Sequence, residues 1–197
     1  MKFRLNDRSL IRVSGTDTKS FLEGQLSNDI DAIKSSQIQI NAYCQHQGKV
    51  IAILWVVNSG NEYLISLPSD LLDIVKSRLE MFVMMSEVEI SDLTATTPHF
   101  GVIGEDLKGS FRLNDRQSIF IGETSVTDIV EIDDNEWQRV CIETGIPEVY
   151  LSTTEKFLPQ MLNLDIDEIG VSFSKGCYPG QEVVARLHYL GKAKRRM

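Results

Sequence analysis

The stretch Lys175-Gly176-Cys177-Tyr178-Pro179-Gly180-Gln181-Glu182 holds the residues best suited to chemistry. It sets a cysteine among two glycines and a proline, and residues 181–190 directly after it read as a helix. Gly176 and Gly180 permit backbone angles closed to other residues, and Pro179 fixes φ near the helical value. The pattern predicts a tight turn feeding a helix, with a thiol at the helix's N-terminal end. Unpaired N–H groups and the helix dipole favour negative charge there, so a thiolate at Cys177 would be stabilised. The other reading of Cys177 is a small buried residue, a common state of free cysteine. Lys175 either adds positive charge near the thiol or is a solvated lysine. Glu182 precedes Arg186 by four residues, a favourable helical pair.

Other constellations carry less. Cys44 and His46 form a C-x-H pair on alternate positions of a strand, but a metal needs further ligands that the chain does not suggest. A core cysteine and a turn histidine are expected there, and no metal site. Neither GxSxG nor HExxH occurs, and Gly101-Val102-Ile103-Gly104 lacks the third glycine and the helix of a dinucleotide loop. Cys44, Cys141 and Cys177 are an odd number without CxxC spacing, which points to a reducing compartment rather than a disulfide framework.

The chain that must position these residues has 197 residues, 42% of them hydrophobic and 24% charged, the balance of a soluble globular protein. Its net charge of −8 argues against a broad nucleic-acid surface and against direct nucleic-acid binding. The basic tail Lys192-Ala193-Lys194-Arg195-Arg196 reads as a solvated terminus. The longest apolar run, residues 50–57, is far short of a membrane span, and the N-terminus lacks a signal-peptide run. A cytoplasmic protein without a membrane partner is expected.

Residues 9–13 read as a strand, followed by a helix capped by Thr16 or Asp17 and running through Leu26 towards Asn28. Residues 37–45 alternate as a half-buried strand, whereas 50–57 read as a strand buried on both faces. Asn58-Ser59-Gly60-Asn61 signals a hairpin, with 62–67 as its return strand. A helix opens at Pro68-Ser69-Asp70 and runs to about residue 85, and 88–93 form another strand. Short strands are expected at 100–103, 110–113, 118–121 and 128–131. A helix capped at 133–135 follows and ends at Gly145, then an irregular stretch with a helical turn at 155–158. The pattern is α+β: antiparallel sheets with packed helices. Residues 1–197 form one unit, read as two interleaved lobes in which 47–95 make a ββαβ lobe.

A resemblance rests on several of these residues together. They are Gly145-Ile146-Pro147, Phe157-Leu158-Pro159-Gln160-Met161-Leu162-Asn163-Leu164, Val171-Ser172-Phe173, the 175–182 motif with Val183-Val184-Ala185-Arg186, and Gly191 with Lys194-Arg195. Earlier segments agree: Ser14-Gly15-Thr16-Asp17, Phe21 to Asp29, Ala42-Tyr43-Cys44 and Gly48-Lys49-Val50. This set resembles the YgfZ family, bacterial folate-binding proteins related to the aminomethyltransferase (T-protein) of the glycine cleavage system. The resemblance implies an aminomethyltransferase-like folate-binding fold and tetrahydrofolate as ligand. It also implies a role in iron–sulfur cluster assembly or repair, with tRNA-modifying and other cluster enzymes as clients. Family members continue into a C-terminal β-barrel, and with the chain stopping at Met197 that barrel is expected to be absent.

The resemblance makes Cys177 the functional thiol and Lys175, Tyr178, Gln181, Glu182 and Arg186 the candidate folate-binding residues. Tyr178 either stacks on a pterin-like ring or packs beside the turn, and Arg186 either meets the glutamyl tail or pairs with Glu182. In T-proteins an acidic pair follows shortly after the glycine that corresponds to Gly48, one carboxylate of which orients the folate amine; here the stretch reads Lys49-Val50-Ile51-Ala52-Ile53. T-proteins also carry an acid in the place of Cys177. An accessory binding protein is therefore expected rather than an enzyme in the turnover sense, with a tetrahydrofolate-dependent aminomethyl transferase as the alternative.

Overall fold

The computed structural model describes residues 2–84, 86–104, 107–123 and 134–197. Its first half contains β1 (Lys2–Arg4), β2 (Arg8–Ser14), α1 (Thr18–Glu23), β3 (Gln39–Cys44), β4 (Val50–Asn58), β5 (Glu62–Pro68), α2 (Leu72–Val83) and β6 (Glu89–Asp92). Its second half contains β7 (His99–Ile103), β8 (Phe111–Arg112), β9 (Gln117–Ile121), α3 (Asp134–Glu143) and α4 (Gln181–Leu190). Among the described residues the strands form two open antiparallel sheets, ordered β3-β4-β5-β2-β6 and β1-β7-β9-β8. The fold is α+β, with helices packed on antiparallel sheets. No helix among the described residues is long and apolar enough to cross a membrane.

β4 owes its place inside the larger sheet to its composition. Eight successive apolar residues leave no face for water, and all eight are buried. β5 returns from the Asn58 turn, and β2 pairs with it from Arg8↔Pro68 to Ser14↔Glu62. Residues 47–95 thus share their sheet with β2 and β3. On α2, Leu71 at the N-cap and Val75 and Leu79 face the core, while Phe82 is half exposed. The expected helix at Pro68 begins instead as a 3-10 turn over Ser69–Leu71, because β5 holds Pro68 extended.

Three further expectations are corrected by tertiary contacts. α1 stops at Glu23, and the Asp17 carboxylate accepts the Glu87 N–H at 2.8 Å rather than capping its own helix. β3 is buried at every position but Gln39, not half exposed. Its polar residue Asn41 accepts the Asn28 N–H at 2.9 Å, and the Asn28 amide donates to the Ile40 carbonyl at 3.1 Å. The helical turn expected at 155–158 lies at Pro159–Leu162, because residues 154–157 are engaged along β4. There Glu155 donates to Val50 O, Val50 donates to Phe157 O, and the Thr154 hydroxyl donates to Ile51 O, each at 2.8 Å. The strand expected at 128–131 and the cap at Asp133 lie outside the described residues.

The sheets meet where Ile38 donates to Arg112 O at 2.8 Å and Arg112 donates to Ser36 O at 2.9 Å. α3 closes the space between them. Its Trp137 ring lies 5.5 Å from Phe3 of β1 and 6.0 Å from Trp55 of β4. Gly101 of β7 leaves room for this contact, since a Cβ there would fall 2.7 Å from the Phe3 ring and 2.9 Å from Trp137.

Candidate functional site

The 175–182 loop is pinned to the body at both ends. Gly180 adopts φ +83°, and a Cβ on it would lie 2.5 Å from Gln45 O and 2.6 Å from the backbone of Gly48. Gly48, at φ +77°, would in turn press a Cβ to within 3.1 Å of Val183. The β3–β4 turn and the start of α4 therefore touch backbone to backbone, which only a glycine pair allows. α4 is held again by Gln160, whose buried amide donates to Val184 O at 2.7 Å. That contact gives the Pro159–Leu162 turn its part in the site.

At the other end Lys175 turns inward. Its ammonium donates to the carbonyls of Glu23 and Leu26 at 2.7 Å and of Asn28 at 3.0 Å, and pairs with the Glu23 carboxylate at 3.1 Å. The side chain is fully buried. It is thus neither a solvated lysine nor a charge offered to a ligand, but the cation at the C-terminal end of α1, where orphan carbonyls accumulate. Burial lowers its pKa, and Glu23 opposes that shift. Tyr178 is buried as well, its ring 5.6 Å from the Lys175 nitrogen.

Between these anchors Cys177 is exposed, whereas Cys44 and Cys141 are buried. Burial pushes the Cys44 thiol up to about 12 and the Cys141 thiol up to about 11, so both are inert core groups. His46 is exposed on the β3–β4 turn. Glu182 and Arg186 are exposed on α4 and Gln181 is half-buried; no ion pair joins Glu182 to Arg186. Among the described residues no three His, Cys, Asp or Glu side chains gather as a metal site would require.

A cavity of about 330 Å³ opens under α3, lined by Arg8, Trp137, Cys141, Ile146, Glu148 and Tyr150 among others. This is within the size range of small-ligand sites, about 300–1,000 Å³. Arg8 enters from β2, whose next residues are core. Its guanidinium stacks 3.5 Å from the Trp55 ring, donates to the Ser66 hydroxyl at 2.9 Å, and pairs with Glu148 at 2.6 Å. Glu148 follows the Gly145-Ile146-Pro147 break, which carries it inward. Its second oxygen is sealed from solvent without a partner. Burial raises its pKa to about 7 against the pull of Arg8. Burial and neighbouring Glu148 raise Tyr150 to about 12.

None of the six residues singled out in 175–186 lines this cavity, and its polar residues drew no attention in the sequence. A lone arginine in a strand and a glutamate in an irregular stretch carry no spacing signal. The lining residues that do carry a sequence signal are Cys141, read there as a cysteine, and Ile146 and Pro147 of the Gly145-Ile146-Pro147 segment.

No family model matches the chain. An uncharacterized protein of Haemophilus influenzae is 33% identical over 199 residues, covering 98% of this chain and 70% of that protein. The tRNA-modifying protein YgfZ of Colwellia psychrerythraea is 28% identical over 225 residues, covering 98% of this chain and 69% of its own length. Its counterpart in Photorhabdus laumondii is 26% identical over 226 residues, covering 98% and 68%. Among solved structures, the glycine cleavage system aminomethyltransferase T from Bartonella henselae aligns with a TM-score of 0.47 at 16% identity. That alignment takes in 51% of this chain and spans 27% of the transferase.

Proposed function

The chain belongs to the YgfZ family, and on that premise we propose that it is a tetrahydrofolate-binding accessory protein of iron–sulfur cluster assembly or repair, acting in the cytoplasm in support of tRNA-modifying and other cluster enzymes. The observation that carries this reading is Cys177: an exposed thiol on a loop locked by the Gly48–Gly180 contact and by buried Lys175. A thiol fixed in position yet open to solvent is suited to hold a soft ligand, such as a metal ion in transit or a persulfide. Lys175 and Tyr178 act by holding the loop. Gln181, Glu182 and Arg186 follow the thiol in the chain on the first turns of α4 and would offer polar groups to the ligand, with Arg186 the cation for a glutamyl carboxylate.

The cavity under α3 suits the pterin end of a folate. The carboxylate of Glu148, one of its lining residues, would accept an N–H of the ring edge, and Trp137 supplies an aromatic wall. Tetrahydrofolate, when bound, would supply a carrier of one-carbon units on N5 and N10; the protein's part would be to orient it and keep water out. At the head of β4, where a transferase would need its acid, Val50, Ile51, Ala52 and Ile53 are all buried and apolar. That favours binding over aminomethyl transfer.

Calorimetry with tetrahydrofolate tests the ligand. Glu148→Gln is expected to weaken binding about tenfold or more, the loss of a charged hydrogen bond. Complementation of a strain lacking its own family member tests the thiol. Cys177→Ala should fail to rescue, and full rescue would remove the thiol from the mechanism. Turnover with an aminomethyl donor would replace this reading by the transferase.

A further inference from the structure

The end of α4 brings together features that the folate reading does not use. His188 stacks on Phe173 with ring centroids 3.7 Å apart and planes 20° from parallel. Tyr189 stands edge-on to both rings, at 6.1 Å from Phe173 and 4.8 Å from His188. Phe173 is half-buried against the core, but His188 is exposed, Tyr189 is 66% exposed and the adjoining Leu190 83% exposed, so the outer side of the cluster forms an aromatic surface.

Charge is distributed unevenly around it. From residue 183 to residue 197 the chain has Arg186, Lys192, Lys194, Arg195 and Arg196 and no Asp or Glu, in a protein of net charge −8. Lys192, Lys194 and Arg195 are exposed, and among the described residues none of them takes part in an ion pair. Asp165, an acid that lines this region, is paired with Arg196 by two bonds at 2.7 and 2.8 Å. A recess of about 390 Å³, lined by Gln160, His188, Lys192 and Arg196 among others, opens next to the aromatic rings. Gln160 there has a buried side-chain oxygen without a partner.

We propose that this surface binds a single-stranded RNA segment, with a base stacked on Tyr189 and the phosphates of its backbone held by Lys192, Lys194 and Arg195. Aromatic faces beside a basic track are the two parts that single-strand recognition requires, because every base has a face to stack and every linkage a charge to neutralise. A duplex hides its base faces and gains only the electrostatic part. Overall acidity does not oppose this, since charges further than about 8 Å are screened at physiological salt and the local patch dominates. The proposal is independent of folate binding.

The test is fluorescence anisotropy of the whole chain with a short labelled single-stranded RNA and its duplex across a salt series. Saturable binding that prefers the single strand is expected. Tyr189→Ala should weaken it about 5- to 150-fold, corresponding to the stacking of one base, and Tyr189→Phe should retain it. Replacing Lys192, Lys194 and Arg195 together by alanine should lower the salt slope by about 2, at roughly 0.7 per phosphate. These residues are exposed, and urea unfolding of each variant checks that the fold is kept. Absence of saturable binding at low salt, equal affinity for duplex, or indifference to Tyr189→Ala would each overturn the proposal. So would self-association through the patch, seen by sedimentation as a dimer that Tyr189→Ala dissolves while RNA leaves it intact.

Discussion

Lys175 directs its charge into the protein. Its three protons meet three carbonyls and its charge meets Glu23, so the side chain is a clamp between the 175–182 loop and the end of α1. Lys175→Met would leave the carboxylate and the carbonyls without their cation. The expected loss is roughly 3–5 kcal/mol in urea unfolding, as for a broken buried pair. Lys175→Arg should not restore it, because a planar guanidinium does not match three converging carbonyls. A loss below about 1 kcal/mol would show that the clamp does not hold the loop. In sequence this residue was indistinguishable from a surface lysine beside a thiol, since its partners lie 147 to 152 positions away.

At the scale of elements, the decisive contact is between the β3–β4 turn and α4. The helix over Gln181–Leu190 was legible to the residue, and the gap between the strands read at 37–45 and 50–57 marked the connection that holds Gly48. That the two glycines face each other was not legible. Gly180→Ala tests the contact, and Gly60→Ala provides its control. Both positions have left-handed backbone, at φ +83° and +86°, but nothing lies within 4 Å of a Cβ at Gly60. Gly60→Ala should cost about 1–2 kcal/mol, the penalty of the left-handed region alone. Gly180→Ala should cost at least about 2 kcal/mol more, because backbone atoms at 2.5–2.6 Å have no flexible end to move aside. Equal losses in chemical unfolding would show that the contact relaxes freely.

For the whole molecule, pH dependence of stability reports on the buried network around Arg8. His99 donates to or accepts from the Ser66 hydroxyl at 3.4 Å, and burial with repulsion from Arg8 and Arg4 lowers its pKa to about 4 from 6.5. Its folded form resists protonation, so its contribution is lost as pH falls from about 6.5 to 4. Glu148 does the reverse. Its folded pKa is raised to about 7 from 4.5, so the folded state takes up a proton first and gains stability as pH falls through that range. Each slope is about 1.4 kcal/mol per pH unit where it acts, and they oppose between about 4.5 and 6.5. The intact protein should therefore show a flat profile there. Glu148→Gln should expose the loss of stability in acid, and His99→Gln the gain. Parallel profiles for both variants in urea unfolding at stepped pH would contradict the assignment.

The amino-acid sequence by itself determined the antiparallel α+β character, the buried β4, the hairpin after it, α4 and the motif that identifies the family. These rest on local periodicity, turn chemistry and a contiguous run of residues, all of which act over a few positions. Tertiary structure alone decided which polar residues turn inward. It placed Lys175 under α1, Asn41 against Asn28, and Arg8 with Glu148 beside a cavity that the 175–186 residues do not line. Hydrogen bonding and desolvation set those outcomes, and both depend on partners brought together from distant parts of the chain. The same holds for α4's outer end, where a tail that reads as solvated lies beside an exposed aromatic cluster.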